Sequence, residues 1–265
     1  MRTFSIALLL AASTAPVFAQ VTTLNDSGYA FGHLHFRVND PDASKKAWVD
    51  VFGATPGKTG TAEFLKIPGV LIFISKAEMP PTGGTQGSVV NHVGISVKDY
   101  AATKAKADAA GIAWRELTKD VQAFATFPEG VTVEVMEVKD QATPVALHHV
   151  HESVPDPAAA RAWYVKEFGA GEGSRRNLPA AMFPGATEVD FLKAAMPQAP
   201  TKGRALDHIG FEVKNLEATL KKLQADGVTI DVPLRDATKT IGLKMAFITD
   251  PNGTYIELTE GLAGK

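Results

Sequence analysis

His33-Leu34-His35-Phe36-Arg37-Val38-Asn39-Asp40-Pro41 recurs as His149-Val150-His151-Glu152-Ser153-Val154-Pro155-Asp156-Pro157, and both stretches read HxHxxVxDP. The offset is 116 residues. It holds for Phe52-Gly53-Ala54 against Phe168-Gly169-Ala170, and for His92-Val93-Gly94-Ile95-Ser96-Val97-Lys98 against His208-Ile209-Gly210-Phe211-Glu212-Val213-Lys214. Near the ends, Pro128-Glu129-Gly130-Val131-Thr132-Val133-Glu134 answers Pro251-Asn252-Gly253-Thr254-Tyr255-Ile256-Glu257 at an offset of 123, so the second copy has gained about seven residues after His208. Self-similarity at a fixed offset marks two tandem copies of one fold. Two domains are predicted, residues 28–139 and 146–262, with residues 140–144 as the linker.

Each copy subdivides again. Residues 33–38 read as a strand, Asp40 as a helix N-cap and Pro41 as the first helical residue, with Gly53 ending the helix. β-branched and aromatic content predicts strands at 63–67 and 70–75. The second half opens with a strand at 92–97, a helix capped by Asp99 and stopped at Gly111, and strands at 113–117, 123–127 and 131–137. In copy two Asn215 is the cap, and Leu216, Leu220 and Leu223 give the apolar stripe of a helix that ends at Gly227. The fold class predicted is α+β, with each copy a pair of βαβββ modules.

The composition narrows the function. The chain has 265 residues, 45% hydrophobic and 21% charged, with 27 Lys plus Arg against 29 Asp plus Glu. This is a globular balance, and a net charge of -2 without a clustered basic run argues against nucleic acid as a partner. The absence of cysteine removes disulfides, thiolate nucleophiles and thiolate metal ligands, leaving His, Asp and Glu to hold any ion. MRTFSIALLLAASTAPVFAQ at the start has Arg2, a short apolar run, Pro16 and the small-x-small site Val17-Phe18-Ala19. Residues 1–19 are therefore expected to be a cleaved signal peptide, placing the mature protein in the periplasm or outside the cell. The apolar run is too short for a membrane anchor, which needs about 20 residues.

All seven histidines lie in the repeated strand motifs: His33, His35, His92, His148, His149, His151 and His208. Strand side chains alternate faces, so His33 shares a face with His35, and His149 with His151. Two imidazoles and a carboxylate from three strands can converge on one ion, and the sets expected are His33/His92/Glu134 and His149/His208/Glu257, up to two metals per chain. Such a set suits Fe(II) and also accepts Mn(II), Zn(II) or Ni(II). His35 and His151, two residues beyond a ligand, are the candidate acid/base groups.

The HxHxxVxDP, FGA, HxG and PxGxxxE motifs together resemble the vicinal oxygen chelate superfamily, which includes glyoxalase I, fosfomycin-resistance transferases, extradiol dioxygenases and bleomycin-resistance proteins. The resemblance covers nearly all the chain after residue 19. It implies paired βαβββ modules curved into open barrels, with metal ligands at the six positions just named. It also implies departures. Glyoxalase I uses a further glutamate; copy one has Leu71-Ile72-Phe73-Ile74 there, whereas Glu188 of copy two is a candidate fourth ligand. Extradiol enzymes carry a tyrosine where this sequence has Phe124 and Phe247, and a further histidine that it lacks. Arg175, Arg176 and Asp190 are candidate substrate-binding residues; Arg175 and Arg176 are expected in a loop, and copy two is expected to carry most of the activity.

The reading reached is a metal-dependent enzyme of glyoxalase, lyase or isomerase type acting on a small molecule. An Fe(II) extradiol-type dioxygenase is the alternative within the superfamily. A non-catalytic binding protein or metal carrier is the alternative outside enzymes. The oligomeric state is left open.

Overall fold

The computed structural model describes residues 23–263 and 265; the expected signal peptide lies outside these. Copy one runs β1 (Tyr29–Val38), α1 (Pro41–Phe52), β2 (Thr55–Thr59), β3 (Ala62–Ile67), β4 (Val70–Lys76), β5 (Val90–Val97), α2 (Tyr100–Ala109), β6 (Ala113–Thr118), β7 (Gln122–Phe127) and β8 (Val131–Glu137). Copy two runs β9 (Val145–Val154), α3 (Pro157–Phe168), β10 (Gly171–Arg175), β11 (Leu178–Phe183), β12 (Thr187–Lys193), β13 (Leu206–Val213), α4 (Leu216–Ala225), β14 (Ile230–Asp236), α5 (Thr238–Ile241), β15 (Lys244–Thr249) and β16 (Tyr255–Glu260).

The helix punctuation acts as read. Asp40 accepts from Ala43 N, Asp99 from Ala102 N and Asn215 from Ala218 N, each satisfying an otherwise orphaned first-turn donor. Gly53 takes the left-handed conformation at φ 68° and stops α1. Leu216, Leu220 and Leu223 are buried along α4, each contributing roughly 1.5–3 kcal/mol. The helices cover one face of the sheets. Phe36 packs on Trp48 of α1 with ring centroids 5.6 Å apart, so His33, His35 and Arg37 project from the opposite face of β1.

Four βαβββ modules form two open eight-stranded sheets, ordered β14-β15-β16-β13-β1-β4-β3-β2 and β10-β11-β12-β9-β5-β8-β7-β6. Each sheet joins one module of each copy. In every module the first strand lies at one margin beside the last or fourth, leaving an edge that must be paired. β9 follows β8 after a short link and lies antiparallel to β5, so the two inner modules close on each other. The outer modules then meet through antiparallel β1 and β13. The expectation that each copy builds its own site is corrected here: the repeat fixes which modules are alike, and edge pairing fixes which ones share a sheet.

Candidate functional site

The first cluster takes His33 from β1, His208 from β13 and Glu257 from β16. In register, Gly210 lies between His33 and Glu257. The His33 ring crosses this glycine: a Cβ on Gly210 would come within 1.9 Å of His33 Cε1. Glu257 Oε2 is 3.0 Å from both His33 Nε2 and His208 Nε2. The three side chains are buried, and their ligand-type atoms all lie within 4.8 Å of one another. On the far side, His208 Nδ1 meets Asp207 Oδ1 at 2.7 Å, which turns Nε2 inward. Burial alone would depress His208 and raise Glu257. The bonds to Asp207 and Glu257 overcome burial and raise His208, while the bonds from His208 and His33 hold Glu257 well below the usual carboxylate range.

A pocket of about 170 Å³ adjoins this cluster, walled by His35, Phe73, Ile241, Leu243, Met245 and Phe247. The separation from second histidine to glutamate is 49 residues here against 42 in copy one, and the extra residues form the α5 segment that carries Ile241 and leads to Leu243. Thr59 Oγ1 donates to Ile241 O at 2.7 Å and Thr61 N to Thr240 O at 3.0 Å, fastening this cover to the β2–β3 hairpin. His35 Nε2 meets Ser75 Oγ at 3.0 Å; burial, with His208 next, pushes its pKa well below the ordinary value.

The second cluster takes His92 from β5, His149 from β9 and Glu134 from β8. It repeats the geometry. A Cβ on Gly94 would come within 2.0 Å of His149 Cε1. Glu134 Oε2 is 3.0 Å from His92 Nε2 and 3.1 Å from His149 Nε2. His151 joins them: ligand-type atoms of His92, His149 and His151 lie within 4.8 Å of one another. Burial would raise Glu134, but the bonds from His149 and His92 hold it far below its ordinary value. Burial also pushes His151 down to about 3, with His92 adding to it, and His148 to about 4, with Arg175 adding to it.

The surroundings differ. His92 Nδ1 meets the amide oxygen of Asn91 at 2.9 Å, where His208 has a carboxylate. Gln122 donates to Glu134, and its carbonyl accepts from Arg176 Nη1 at 3.0 Å. Arg175 Nη1 stands 2.8 Å from His149 Nδ1, 3.0 Å from His149 Nε2 and 3.0 Å from Asp190 Oδ2, and Nη2 is 4.0 Å from Glu134 Oε1. Burial keeps Asp190 raised despite Arg175, and burial with Asp190 raises Glu188 to about 7.

All six proposed ligands therefore reach a cluster, regrouped as His33/His208/Glu257 and His92/His149/Glu134. Arg175 ends strand β10 rather than lying in a loop, while Arg176 enters the turn with φ 47°. Glu188 stands opposite His149 in register, but its carboxylate is not among the clustered ligand atoms. The features expected to favour copy two are divided. Glu188, Asp190 and Arg175 lie on the second cluster's side, and the inserted cover lies over the first. Sequence reasoning missed Gly94, Gly210, Asn91, Asp207 and Gln122. The repeated HxG motif held the signal for the glycines, and the residue before each second histidine held it for Asn91 and Asp207.

Among the described residues, no helix is long and apolar enough to cross a membrane. No curated protein matches the sequence. By structure the chain is similar to glyoxalase I from Zea mays at 18% identity and TM-score 0.68, over 88% of this chain and 92% of that one. It is also similar to a protein of Bacillus subtilis subsp. subtilis str. 168, provisionally assigned as a dioxygenase, at 15% identity and TM-score 0.64, over 91% and 87% of the two chains. These likenesses show the fold. The model of the Glyoxalase/Bleomycin resistance protein/Dioxygenase superfamily matches residues 30–135 and 146–258, one segment in each copy, and with both segments matched the chain belongs to that superfamily.

Proposed function

We propose that the chain is a metal-dependent enzyme of glyoxalase, lyase or isomerase type whose working centre is His33/His208/Glu257. The observation that carries this is the meeting of three buried ligand-type atoms within 4.8 Å beside a pocket large enough for part of a small molecule. The donor set fits a divalent ion: two imidazoles and one carboxylate leave coordination positions for substrate. When bound, such an ion supplies Lewis-acid polarisation of substrate oxygens. The protein's own contribution is orientation. Asp207 holds the His208 tautomer, Gly210 admits the His33 ring, and Phe73, Phe247 and Leu243 give the pocket an apolar wall. His35, held by Ser75 at the pocket wall, is the nearest group to hold or pass a proton.

An oxygen-dependent ring cleavage is the second reading, favoured by the same His/His/Glu composition, which suits Fe(II). Elemental analysis of the purified protein, with oxygen uptake measured against catechols and turnover of 2-oxoaldehydes measured without oxygen, separates the two. Iron with uptake selects ring cleavage. Nickel, zinc or manganese with anaerobic turnover selects the leading reading, and a chain that binds no divalent metal defeats both. The proposed location is the periplasm or outside the cell, after removal of residues 1–19.

A further inference from the structure

The second cluster already contains a cation. Arg175 places one guanidinium nitrogen within 3.0 Å of both ring nitrogens of His149 and of Asp190 Oδ2. A guanidinium only donates hydrogen bonds and stays protonated, and a neutral imidazole has a single lone pair. A guanidinium nitrogen nearly equidistant from both ring nitrogens does not lie along that in-plane lone pair, so what opposes a metal is charge. An ion about 2.0–2.2 Å from His149 Nε2 would stand within about 5 Å of it, against a fixed positive charge inside a buried site.

The first cluster shows what is missing when this cation is absent. β2 and β10 correspond residue for residue, so Thr59 stands where Arg175 is. Phe73 lies opposite His35 as Asp190 lies opposite His151, so the first cluster lacks both the guanidinium and the carboxylate that anchors it. Gln122, which donates to Glu134, has Met245 at its place. Arginine, its aspartate and the glutamine form one set, present in full at one cluster and absent at the other.

We propose that Arg175 occupies the cation place of the His92/His149/Glu134 cluster, so that the chain takes one divalent metal, at His33/His208/Glu257. The second cluster is then an internal ion cage that ties β10 to β8, β9 and β12. The count of one rests on the metal reading of the first cluster.

The test is Co(II) alone, added to chelator-stripped protein, with stoichiometry read by elemental analysis and by visible absorption. The wild type is expected to bind one equivalent, His149→Ala one, and His33→Ala none. Arg175→Met is expected to bind two. Because Arg175→Met leaves Asp190 buried and unpaired, the double variant Arg175→Thr with Asp190→Phe, copying the residues at the first cluster, is the second probe and is also expected to bind two. Two equivalents in the wild type, one of them lost in His149→Ala, overturn the inference and leave the first-cluster reading standing. If the wild type binds none, the first-cluster reading falls; one equivalent in the Arg175 variants then still supports the inference, and none overturns it.

Discussion

The two clusters share a plan and differ in what surrounds it. Both set an imidazole across a glycine and bring a second imidazole to the same glutamate oxygen. Around His33/His208/Glu257 the neighbours are Asp207, Phe73, Met245 and an apolar cover; around His92/His149/Glu134 they are Asn91, Asp190, Gln122 and Arg175. At both, one glutamate oxygen already joins two imidazoles; the first setting backs His208 with the Asp207 carboxylate and adds no further cation, whereas the second sets a guanidinium against the ligands. Ligand identity alone does not define a metal centre; the next layer decides what the ligands are for.

The largest expected effect breaks the comparison outright. Glu257→Ala should weaken Co(II) affinity more than about 100-fold, beyond the range seen for outer partners alone, while Glu134→Ala should leave it unchanged. Equal losses in a titration would erase the asymmetry. Asp207→Asn gives the first cluster the partner found at the second and should cost roughly 10- to 100-fold in affinity. Asn91→Asp should change nothing, since Arg175 remains.

Gly210→Ala and Gly94→Ala address what the clusters share. With a Cβ about 2 Å from an imidazole ring in each case, both should lose about 1–3 kcal/mol in denaturant melts. Only Gly210→Ala should also lose metal. A melt unchanged in either variant would mean that the ring does not cross the strand.

The smallest effect concerns charge away from both clusters. Glu152 Oε1 accepts from Tyr164 Oη at 2.8 Å and Thr254 Oγ1 at 2.9 Å, while Glu152 Oε2 and Asp250 Oδ2 are buried without partners. Burial, with Asp250 next, raises Glu152 well above its ordinary value, and burial raises Asp250 from 3.8 to about 6. A carboxyl whose folded pKa exceeds its unfolded one contributes stability below the unfolded value and loses it as pH rises through the folded value. For Asp250 that window runs from 3.8 to about 6. Glu152→Gln should therefore be more stable than wild type at pH 7 by less than about 1 kcal/mol, because the neutral amide no longer repels Asp250. The difference should shrink toward pH 4. A constant difference across that range would dissociate the pair from the titration.

Much of this was legible in the sequence. The HxHxxVxDP copies, the Asp and Asn caps and the glycine stops marked where the helices start and end, because capping and turn chemistry are local. The six ligand-type residues were legible because each sits in a repeated strand. Their grouping was not, since it depends on which sheet edges pair, and identical modules carry no mark of their partner. Thr55–Thr59 and Gly171–Arg175 were missed as strands because proline and glycine weaken the signal at an edge. That omission put Arg175 in a loop and hid its reach to His149.

The sharing of each cluster between copies has a consequence for assembly. One copy alone holds two half-sites and completes neither. Produced as two separate polypeptides, the copies would have to find each other, and metal occupancy would rise with protein concentration. Within one chain, residues 140–144 turn that encounter into an intramolecular one, at an effective concentration on the order of millimolar for a short flexible tether. Bound metal would then report on the docking of the two copies, and at a hundredfold excess over its dissociation constant would add about 2.7 kcal/mol to the docked state.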